Sequence, residues 1–435
     1  MVCSFNFVSK SDSARELLVT YTSDGLVFQF GLAYFLCFAL KSHCHVVVVM
    51  ILTFKYRLLP SKAQHVALAV LLEDQRQLYN AALEERIGCY QKTGKTLDGY
   101  DQCKSLAKWR RDDTEARRTP SNLQRWVISR LDAAYNSFFR RLGAHKGKAG
   151  FPRFKGKGQW KSFGFVEFWG IRFDGKRLRW KNFPGGLRVH LHRPMPKNVN
   201  IRSCVFKRDQ KGWVVSFEIK LETPDKQPVK SAVGIDLGLK VFGYQSDGII
   251  IPNPRIAHKA EKEMRRRQRA LARCKRGSKR RIKIKTEVAR LHTKIINTRT
   301  TWLHQQSARI VWQYDLIVAE DLNISDMMKN SMFARSITDV SWSKFLYMVA
   351  YKAEKAGKHF ITVDPKNTSQ KCSSCEELVP KSLVVRTHEC PSCGLTIDRD
   401  WNAAINILQA VVGLGADNVT QWSERQLGKL SLVTD

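Results

Sequence analysis

Residues 231–251 read SAVGIDLGLKVFGYQSDGIII, and this stretch decides the fold class of the C-terminal half. Its short apolar runs, separated by a tight turn at Asp247 and Gly248, predict two or more neighbouring strands. The pattern continues along the chain as a strand, a helix and a strand: YDLIVAEDLN at 314–323, residues 338–357 and HFITVD at 359–364. Because strands alternate with helices here, we predict an α/β domain.

The N-terminal half has a different pattern. Residues 160–222 contain short alternating runs separated by Gly, Pro and Asp-Gly, which predict a β-rich module. The run MILTFKYRLLPSKAQ at 50–64 predicts a strand followed by a helix capped at Ser61. Since that strand has no local partner, we expect it to join the later sheet, with a helical insertion between them.

The chain is strongly basic, with 74 Lys and Arg against 39 Asp and Glu in 435 residues and a formal net charge of +35. A chain longer than about 250–300 residues predicts more than one domain. Nucleic acid is the natural partner, because each phosphate that a basic side chain neutralises releases a counterion. A merely soluble basic protein, or one that binds ribosomal RNA, has the same charge and stays an alternative.

Two segments concentrate this charge. In AHKGKAGFPRFKGKGQWK at 144–161, cations alternate with Gly and aromatic residues, which suits backbone contact and base stacking or, equally, a solvated linker. Residues 259–299 carry 17 Lys and Arg against three Glu and predict an antiparallel helix pair broken at Gly277 and Ser278. From these segments we select candidate nucleic-acid contacts: Arg153, Lys155, Arg265, Arg266, Arg269, Arg280 and Arg281.

The first 49 residues differ from everything that follows. Residues 26–40 lack charged side chains, but this run of 15 is shorter than the roughly 20 residues that span a bilayer. No signal-peptide pattern surrounds the run, so we predict no membrane segment. Met50 opens the first structured motif. We therefore expect translation to begin at Met50 and residues 1–49 to be a non-native upstream extension.

Four of the 11 cysteines form two pairs, Cys372-x2-Cys375 and Cys390-x2-Cys393. This spacing allows four thiolates to surround one tetrahedral zinc ion. Because the protein fills all four positions, none is left for a catalytic water, and we predict a structural zinc. A redox dithiol pair is the alternative. A disulfide framework is not indicated in so long a chain without an ordinary secretory signal, which favours a reducing cytosol.

Three acidic residues occupy positions that suit metal chemistry. Asp236 lies in the VGIDLG strand, Glu320 ends the LIVAED strand, and Asp400 opens the amphipathic helix DRDWNAAINILQAVVG. Each alone is explained by a cap or a salt bridge. Together, carboxylates from strand ends and a helix start can hold two Mg²⁺ (or Mn²⁺) ions that bridge a scissile phosphate. Asp398 is close enough to Asp400 that only geometry separates the two as the third ligand.

Seven motifs, taken in order, resemble those of the TnpB family of insertion-sequence proteins, also called OrfB. They extend from residue 50 to about residue 412: MILTFKYRLLPSKAQ (50–64), AGFPRFKG (149–156), GIDLGLK (234–240), VAEDLN (318–323), TSQKCSSCE (368–376), HECPSCG (388–394) and DRDWNAAINIL (398–408). One departure is Glu376, where the family often has Gly, and we expect it to strain the first cysteine pair.

The resemblance implies a multidomain α/β plus β-barrel fold. It implies an RNase H-like (RuvC) nuclease domain with a zinc-ribbon insert, preceded by a β-barrel wedge domain that carries a helical insert. The implied domains are a wedge at 50–60 and 151–230, a helical recognition insert at 61–150, a nuclease at 231–365 with a basic helical pair at 258–310, a zinc ribbon at 366–395, a C-terminal nuclease helix at 396–415 and a tail at 416–435.

The resemblance also implies a guide RNA, a target double-stranded DNA and metal-dependent DNA cleavage, a logic shared with type V CRISPR effectors. It assigns Asp236, Glu320 and Asp400 as the catalytic carboxylates, with Asp398, Asp321 and Asn402 beside them to orient ligands or contact the phosphate. No small-molecule substrate is implied. We expect a monomer with RNA in the cytoplasm, associated with the nucleoid of a prokaryote.

Two other functions stay open. A cleavage-inactive RNA-guided DNA-binding repressor would share the fold but should lack at least one of the three carboxylates. An accessory DNA-binding transposase protein would share the basic character and the zinc site.

Overall fold

A computed structural model describes residues 5–7, 17–19, 49–144, 150–196, 199–329, 331–382 and 384–412. The chain divides into two compact units, Val49–Leu221 and a second formed by Met1–Val48 with Glu222–Asp435. In the N-terminal segment, β1 (Phe5–Phe7) pairs antiparallel with β2 (Leu17–Val19). The remaining residues before Val49, which we predicted to be an upstream extension, and the whole of the predicted tail at 416–435 lie outside the described residues.

The unit Val49–Leu221 is built on a seven-stranded sheet. Its strands are β3 (Val49–Leu59), β4 (Ser162–Phe165), β5 (Ile171–Phe173), β6 (Arg177–Trp180), β7 (Leu187–His190), β8 (Asn200–Asp209) and β9 (Gly212–Glu222). Their order is β4-β8-β9-β3-β7-β6-β5, so the first strand of the unit joins the later strands, as its lack of a local partner predicted. Strands β4 and β5 are the two ends of this order and do not pair with each other among the described residues. The sheet is therefore a half-barrel and not the closed barrel that was expected.

Three helices are inserted between β3 and β4: α1 (Lys62–Thr93), α2 (Gly99–Asp112) and α3 (Ser121–Gly143). As predicted, Ser61 is the N-cap of α1. Its side chain accepts the Gln64 N–H, and the Gln64 side chain accepts the Ser61 N–H. The buried Arg86 of α1 donates to Gln102 of α2 and to Asp132 of α3 and so ties the three helices together.

The second unit contains a five-stranded mixed sheet. Its strands are β10 (Ala232–Leu237), β11 (Gly243–Gln245), β12 (Ile250–Ile251), β13 (Leu316–Glu320) and β14 (His359–Val363), in the order β12-β11-β10-β13-β14. Strands β10, β13 and β14 are parallel, whereas β11 and β12 run antiparallel. Gly248 has a φ of 85° in the predicted tight turn. The α/β prediction is confirmed.

The remaining elements are six helices and a short hairpin. They are α4 (Ile256–Ala272), α5 (Lys279–Gln313), α6 (Ile324–Met327), α7 (Ser331–Val340), α8 (Trp342–Lys355), α9 (Arg399–Val412), β15 (Thr387–Glu389) and β16 (Thr396–Asp398). Helices α4 and α5 form the predicted basic pair, broken where Gly277 has a φ of 84° and Ser278 caps α5. Among the described residues, no helix is long and apolar enough to cross a membrane.

Both faces of the five-stranded sheet are covered, which explains the nearly continuous apolar runs of its parallel strands. Alternate residues of β13 contribute to opposite faces. Ile317 packs in a cluster with Leu303 of α5 and Phe345 of α8, and Val318 packs in a cluster with Ile407 of α9. Helix α9 therefore lies on the face opposite to α5 and α8.

Gly234 allows α9 to lie directly against β10. A Cβ atom at this position would be 2.1 Å from the carbonyl oxygen of Ala404 and 2.8 Å from the backbone nitrogen of Leu408. Those contacts are with backbone atoms of a helix, so neither can move without displacing α9.

We expect Gly234→Ala to destabilise the protein by about 2–4 kcal/mol, because the added methyl group separates α9 from the sheet. Gly88→Ala is the matched control, since a Cβ there meets nothing within 4 Å and alanine favours a helix by about 1 kcal/mol over glycine. Urea unfolding of both variants measures the difference. Equal midpoints for the two variants would contradict the close approach.

Candidate metal and nucleic-acid sites

Two acidic residues lie side by side at the carboxyl ends of parallel strands. Ile235 of β10 is opposite Ala319 of β13. Asp236 and Glu320 are the next residues on each strand, so they share one register at one edge of the sheet. Asp236 is half-buried, and Glu320 is 8% exposed. The sheet thus brings together two of the three carboxylates selected from the sequence.

The third carboxylate comes from α9. Asp400 is half-buried in the first turn of this helix, and the close packing of α9 on Gly234 brings that turn to the same edge. Asp398 is exposed, and its Oδ1 accepts the backbone N–H groups of Asp400 at 2.8 Å and Trp401 at 3.3 Å. Asp398 therefore caps the helix. Asp400 is one of the charges that raise the pKa of Asp236, whereas the side chain of Asp398 is engaged at the start of the helix.

The other two carboxylates act electrostatically on Asp236. Burial raises the pKa of Asp236 well above its usual range, and the charges of Glu320 and Asp400 raise it further. Burial also raises the pKa of Asp400, against the effect of Arg386, whose Nη1 is 3.5 Å from Asp400 Oδ2. A cation would relieve both the desolvation and the mutual repulsion of such a cluster.

The three carboxylates supply the oxygen ligands that Mg²⁺ and Mn²⁺ prefer. Among the described residues, the four cysteines form a separate group whose ligand atoms all lie within 4.8 Å of one another.

The four cysteines lie together in a segment that includes β15 and β16. Cys372 Sγ is 3.7 Å from Cys393 Sγ, and Cys375 Sγ is 3.5 Å from Cys390 Sγ. Tetrahedral zinc with bonds of about 2.3 Å separates its sulfurs by about 3.8 Å, whereas a disulfide requires about 2.05 Å. The backbone N–H of Cys393 lowers the pKa of the Cys390 thiol to about 6. The cluster fits the predicted structural zinc.

Glu376 confirms the expected strain in the first cysteine pair. Its φ of 67° is left-handed, a conformation that glycine adopts freely and that costs other residues about 1–2 kcal/mol. All four cysteine sulfurs nevertheless remain grouped. The departure from the family pattern changes the turn without removing a ligand.

The role expected for Asn402 is wrong. Its side chain is fully buried, its Oδ1 accepts the Ser373 N–H at 3.0 Å, and its Nδ2 donates to the Lys371 carbonyl at 2.8 Å. Both ends of the amide hold the first cysteine pair, so neither can contact a phosphate. Asn406, one helical turn later, donates to the Thr368 and Lys371 carbonyls. Because Asn402 and Asn406 are four residues apart, they lie on one face of α9. This spacing was the sequence feature that could have indicated that this face anchors the first cysteine pair.

Sequence reasoning also missed two neighbours of the carboxylates. Arg386, between the cysteine pairs, forms the ion pair with Asp400. Thr368 donates its hydroxyl to Glu320 Oε1 at 2.6 Å. Neither residue lies within a periodic apolar pattern, and each is distant in sequence from the carboxylate that it contacts.

The basic residues selected from the sequence separate into two groups. Arg265 pairs with Glu261 and Arg266 with Glu263, while Arg281 donates to the Leu271 and Cys274 carbonyls and closes the turn between α4 and α5. The Lys155 ammonium lies 5.6 Å from the centre of the Tyr79 ring. Arg265 and Arg266 are exposed despite their ion pairs, and the remaining three, Arg153, Arg269 and Arg280, are exposed and form no ion pair among the described residues.

Three protein-family descriptions match parts of the chain. "Helix-turn-helix domain" matches residues 50–95, "Probable transposase" matches 215–331, and "Cas12f1-like, TNB domain" matches 342–407. The first two are the OrfB families of insertion sequences. In this chain, residues 50–95 form strand β3 and helix α1 rather than a pair of helices.

Curated relatives match most of the chain. "Putative RNA-guided DNA endonuclease" of Streptomyces pristinaespiralis is 30% identical over 373 residues, which cover 83% of this chain and 89% of the relative. "Putative RNA-guided DNA endonuclease InsQ" of Escherichia coli K12 is 28% identical, with 82% of this chain and 91% of the relative covered.

A solved structure shares the fold. The protein in "Cryo-EM structure of the Cas12f1-sgRNA-target DNA complex" matches with a TM-score of 0.53 and 14% sequence identity. The match covers 82% of this chain and 98% of that chain. At this identity the likeness concerns the fold alone.

Proposed function

Because the chain belongs to the TnpB (OrfB) family, whose curated relatives are named as RNA-guided DNA endonucleases, we propose that it is itself a transposon-associated, RNA-guided DNA endonuclease. The single observation that supports cleavage is the placement of Asp236, Glu320 and Asp400 at one edge of the five-stranded sheet, where their charges interact. The reaction is hydrolysis of a phosphodiester bond in target DNA.

The three carboxylates would hold Mg²⁺ or Mn²⁺ ions, which supply Lewis acidity and lower the pKa of a bound water. Within this arrangement Asp236 interacts with both other charges and is the central ligand. Thr368 fixes one oxygen of Glu320, and Arg386 helps to keep Asp400 ionised. No nucleophilic side chain is needed, because water is the attacking group.

We assign the predicted domains to the two units. The second unit is the RuvC-like nuclease with its zinc ribbon at 366–395. The half-barrel of the first unit is the wedge domain, and α1 to α3 are its recognition insert. The net charge of +35 supports a guide RNA and double-stranded target DNA as partners. Of the basic candidates, Arg153, Arg269 and Arg280 are the best placed for backbone contact, because they are exposed and, unlike Arg265 and Arg266, form no ion pair among the described residues.

Purification of the full chain from cells that carry its flanking DNA tests the proposal. We expect one discrete class of retained RNA, and we expect this complex to cut double-stranded DNA that matches the RNA when Mg²⁺ is present. Retained RNA without cutting would instead indicate a repressor. A heterogeneous RNA mixture would indicate a basic protein without a guide.

Paired arginine variants refine the same test. Arg269→Ala with Arg280→Ala should reduce the salt dependence of RNA binding, log Kd against log salt, by about 2, or roughly one for each lost phosphate contact. Arg265→Ala with Arg266→Ala removes the same charge from residues already paired with glutamates, so its effect should be smaller. Equal effects would show that the contact assignment is wrong.

A further inference from the structure

Glu320 is connected to the cysteine cluster through Thr368. The Thr368 hydroxyl is 2.6 Å from Glu320 Oε1, the length of a charge-assisted O–H···O⁻ hydrogen bond. The same hydroxyl is 3.1 Å from the Pro365 carbonyl. Since a hydroxyl has only one proton, the shorter contact with the charged acceptor is favoured over the local turn contact.

Thr368 is itself held in place from α9. Asn406 Nδ2 donates to the Thr368 carbonyl at 2.8 Å and to the Lys371 carbonyl at 2.6 Å, and Lys371 directly precedes the first zinc-site cysteine. The helix that holds Thr368 also carries Asp400 in its first turn. One continuous chain of contacts therefore joins Glu320, the first cysteine pair and the helix of the third carboxylate.

We propose that Thr368 is a positioning residue that fixes the Glu320 carboxylate for divalent-cation binding, with the first cysteine pair and Asn406 as its support. The inference rests on the proposed function, because it takes Glu320 to be a metal ligand. The zinc site then serves the carboxylate site as well as its own segment. Contacts of this kind beyond the metal ligands commonly contribute 10- to 100-fold, as an order of magnitude, to metal affinity.

Thr368→Val tests the role of the hydroxyl, since valine keeps the shape of threonine and removes its donor. We expect the variant, purified as the full chain with its RNA, to bind Mn²⁺ about tenfold more weakly in a titration followed by electron paramagnetic resonance. The Mg²⁺ concentration that half-saturates cleavage should rise by a similar factor. The rate at saturating Mg²⁺ should change much less, and bound zinc should not change.

Thr368→Ser is the matched control, because it restores the hydroxyl while removing the methyl group, and it should bind Mn²⁺ as the wild type does. Thr368→Ala tests the same loss of donor with a smaller side chain if the valine variant fails to fold. Unchanged Mn²⁺ binding in Thr368→Val would overturn the proposal. So would a serine variant as weak as the valine variant, because packing would then explain both.

Glu320→Gln separates failure of this inference from failure of the proposed function. If the wild type binds Mn²⁺ no better than Glu320→Gln and does not cut DNA, Glu320 is not a metal ligand and the proposed function fails. A different outcome is that the wild type binds Mn²⁺ and cuts DNA, that Glu320→Gln does neither, and that Thr368→Val behaves as the wild type does. In that case only the positioning role fails.

Discussion

Asp236→Asn should abolish DNA cleavage and at the same time stabilise the metal-free protein. Removing the central carboxylate should lower the cleavage rate by at least about 10³-fold, since this ligand interacts with both of the others. The free energy of unfolding without divalent cations should rise by about 1–2 kcal/mol, because asparagine removes a half-buried carboxyl whose ionisation is opposed by the two neighbouring carboxylates. RNA binding should be unchanged.

The sign of the stability change follows from the raised pKa of Asp236. A carboxyl group that binds its proton more tightly in the folded than in the unfolded protein stabilises the fold at low pH. That contribution is lost as pH rises above the usual aspartate range and through the raised pKa. At neutral pH, above the usual aspartate range, the raised pKa of Asp236 therefore costs the metal-free fold stability, and asparagine, which does not ionise, removes that cost.

Cleavage assays and urea unfolding in the presence of a chelator measure the two effects. Asp398→Ala is the control, because the Asp398 side chain accepts the first backbone N–H groups of α9 and so caps the helix. It should lose about 1 kcal/mol of stability, the usual value of an N-cap, and should retain cleavage. The assignment of these carboxylates would be reversed if Asp236→Asn cut DNA at the wild-type rate, or if only Asp398→Ala lost cutting.

Removing the zinc should have the second large effect. We expect Cys372→Ser with Cys375→Ser to lose bound zinc, to unfold residues 366–398 locally and to abolish cleavage. Zinc binding in small four-ligand domains contributes about 10–16 kcal/mol in isolation, more than the total stability of an ordinary domain. Because Asn402 and Asn406 hold this segment to α9, its unfolding also releases the helix that carries Asp400.

Metal analysis by mass spectrometry and hydrogen exchange over residues 366–398 measure this result. Cys89→Ser is the control, since Cys89 lies in α1, away from the four-cysteine cluster in sequence and outside it in space. That variant should keep its zinc, its melting temperature and its cleavage. Wild-type zinc content and exchange in the double variant would show that these cysteines do not form a structural zinc site.

Much of the fold was predictable because its patterns are local. Apolar alternation in residues 231–251 and the strand that ends at Glu320 depend only on neighbouring residues, and so does the break between α4 and α5 at Gly277. The pairing of β3 with distant strands was predictable for a related reason. A single strand with unpaired backbone groups must find a sheet elsewhere in the chain.

The arginines show a property that sequence patterns did not predict, namely which basic side chains have a partner within the folded chain. Sequence patterns treated Arg265, Arg269 and Arg281 alike, because each belongs to the same dense run of positive charge. The structure separates them, since Arg265 pairs with Glu261, Arg281 closes a turn, and Arg269 forms no ion pair among the described residues. Which cation is free for a partner depends on the acceptors that the folded chain places beside it.

The sequence by itself determined the α/β class, the four-cysteine cluster and the choice of Asp236 and Glu320, because strand periodicity and ligand spacing are properties of short segments. Only the tertiary structure decided that Asp398 caps α9 while the charge of Asp400 acts on Asp236, that Asn402 anchors the first cysteine pair, and that Thr368 contacts Glu320. The first two facts depend on α9, which crosses β10 closely at Gly234. That crossing brings together atoms that are far apart along the chain, and a hydrogen bond depends on their distance in space.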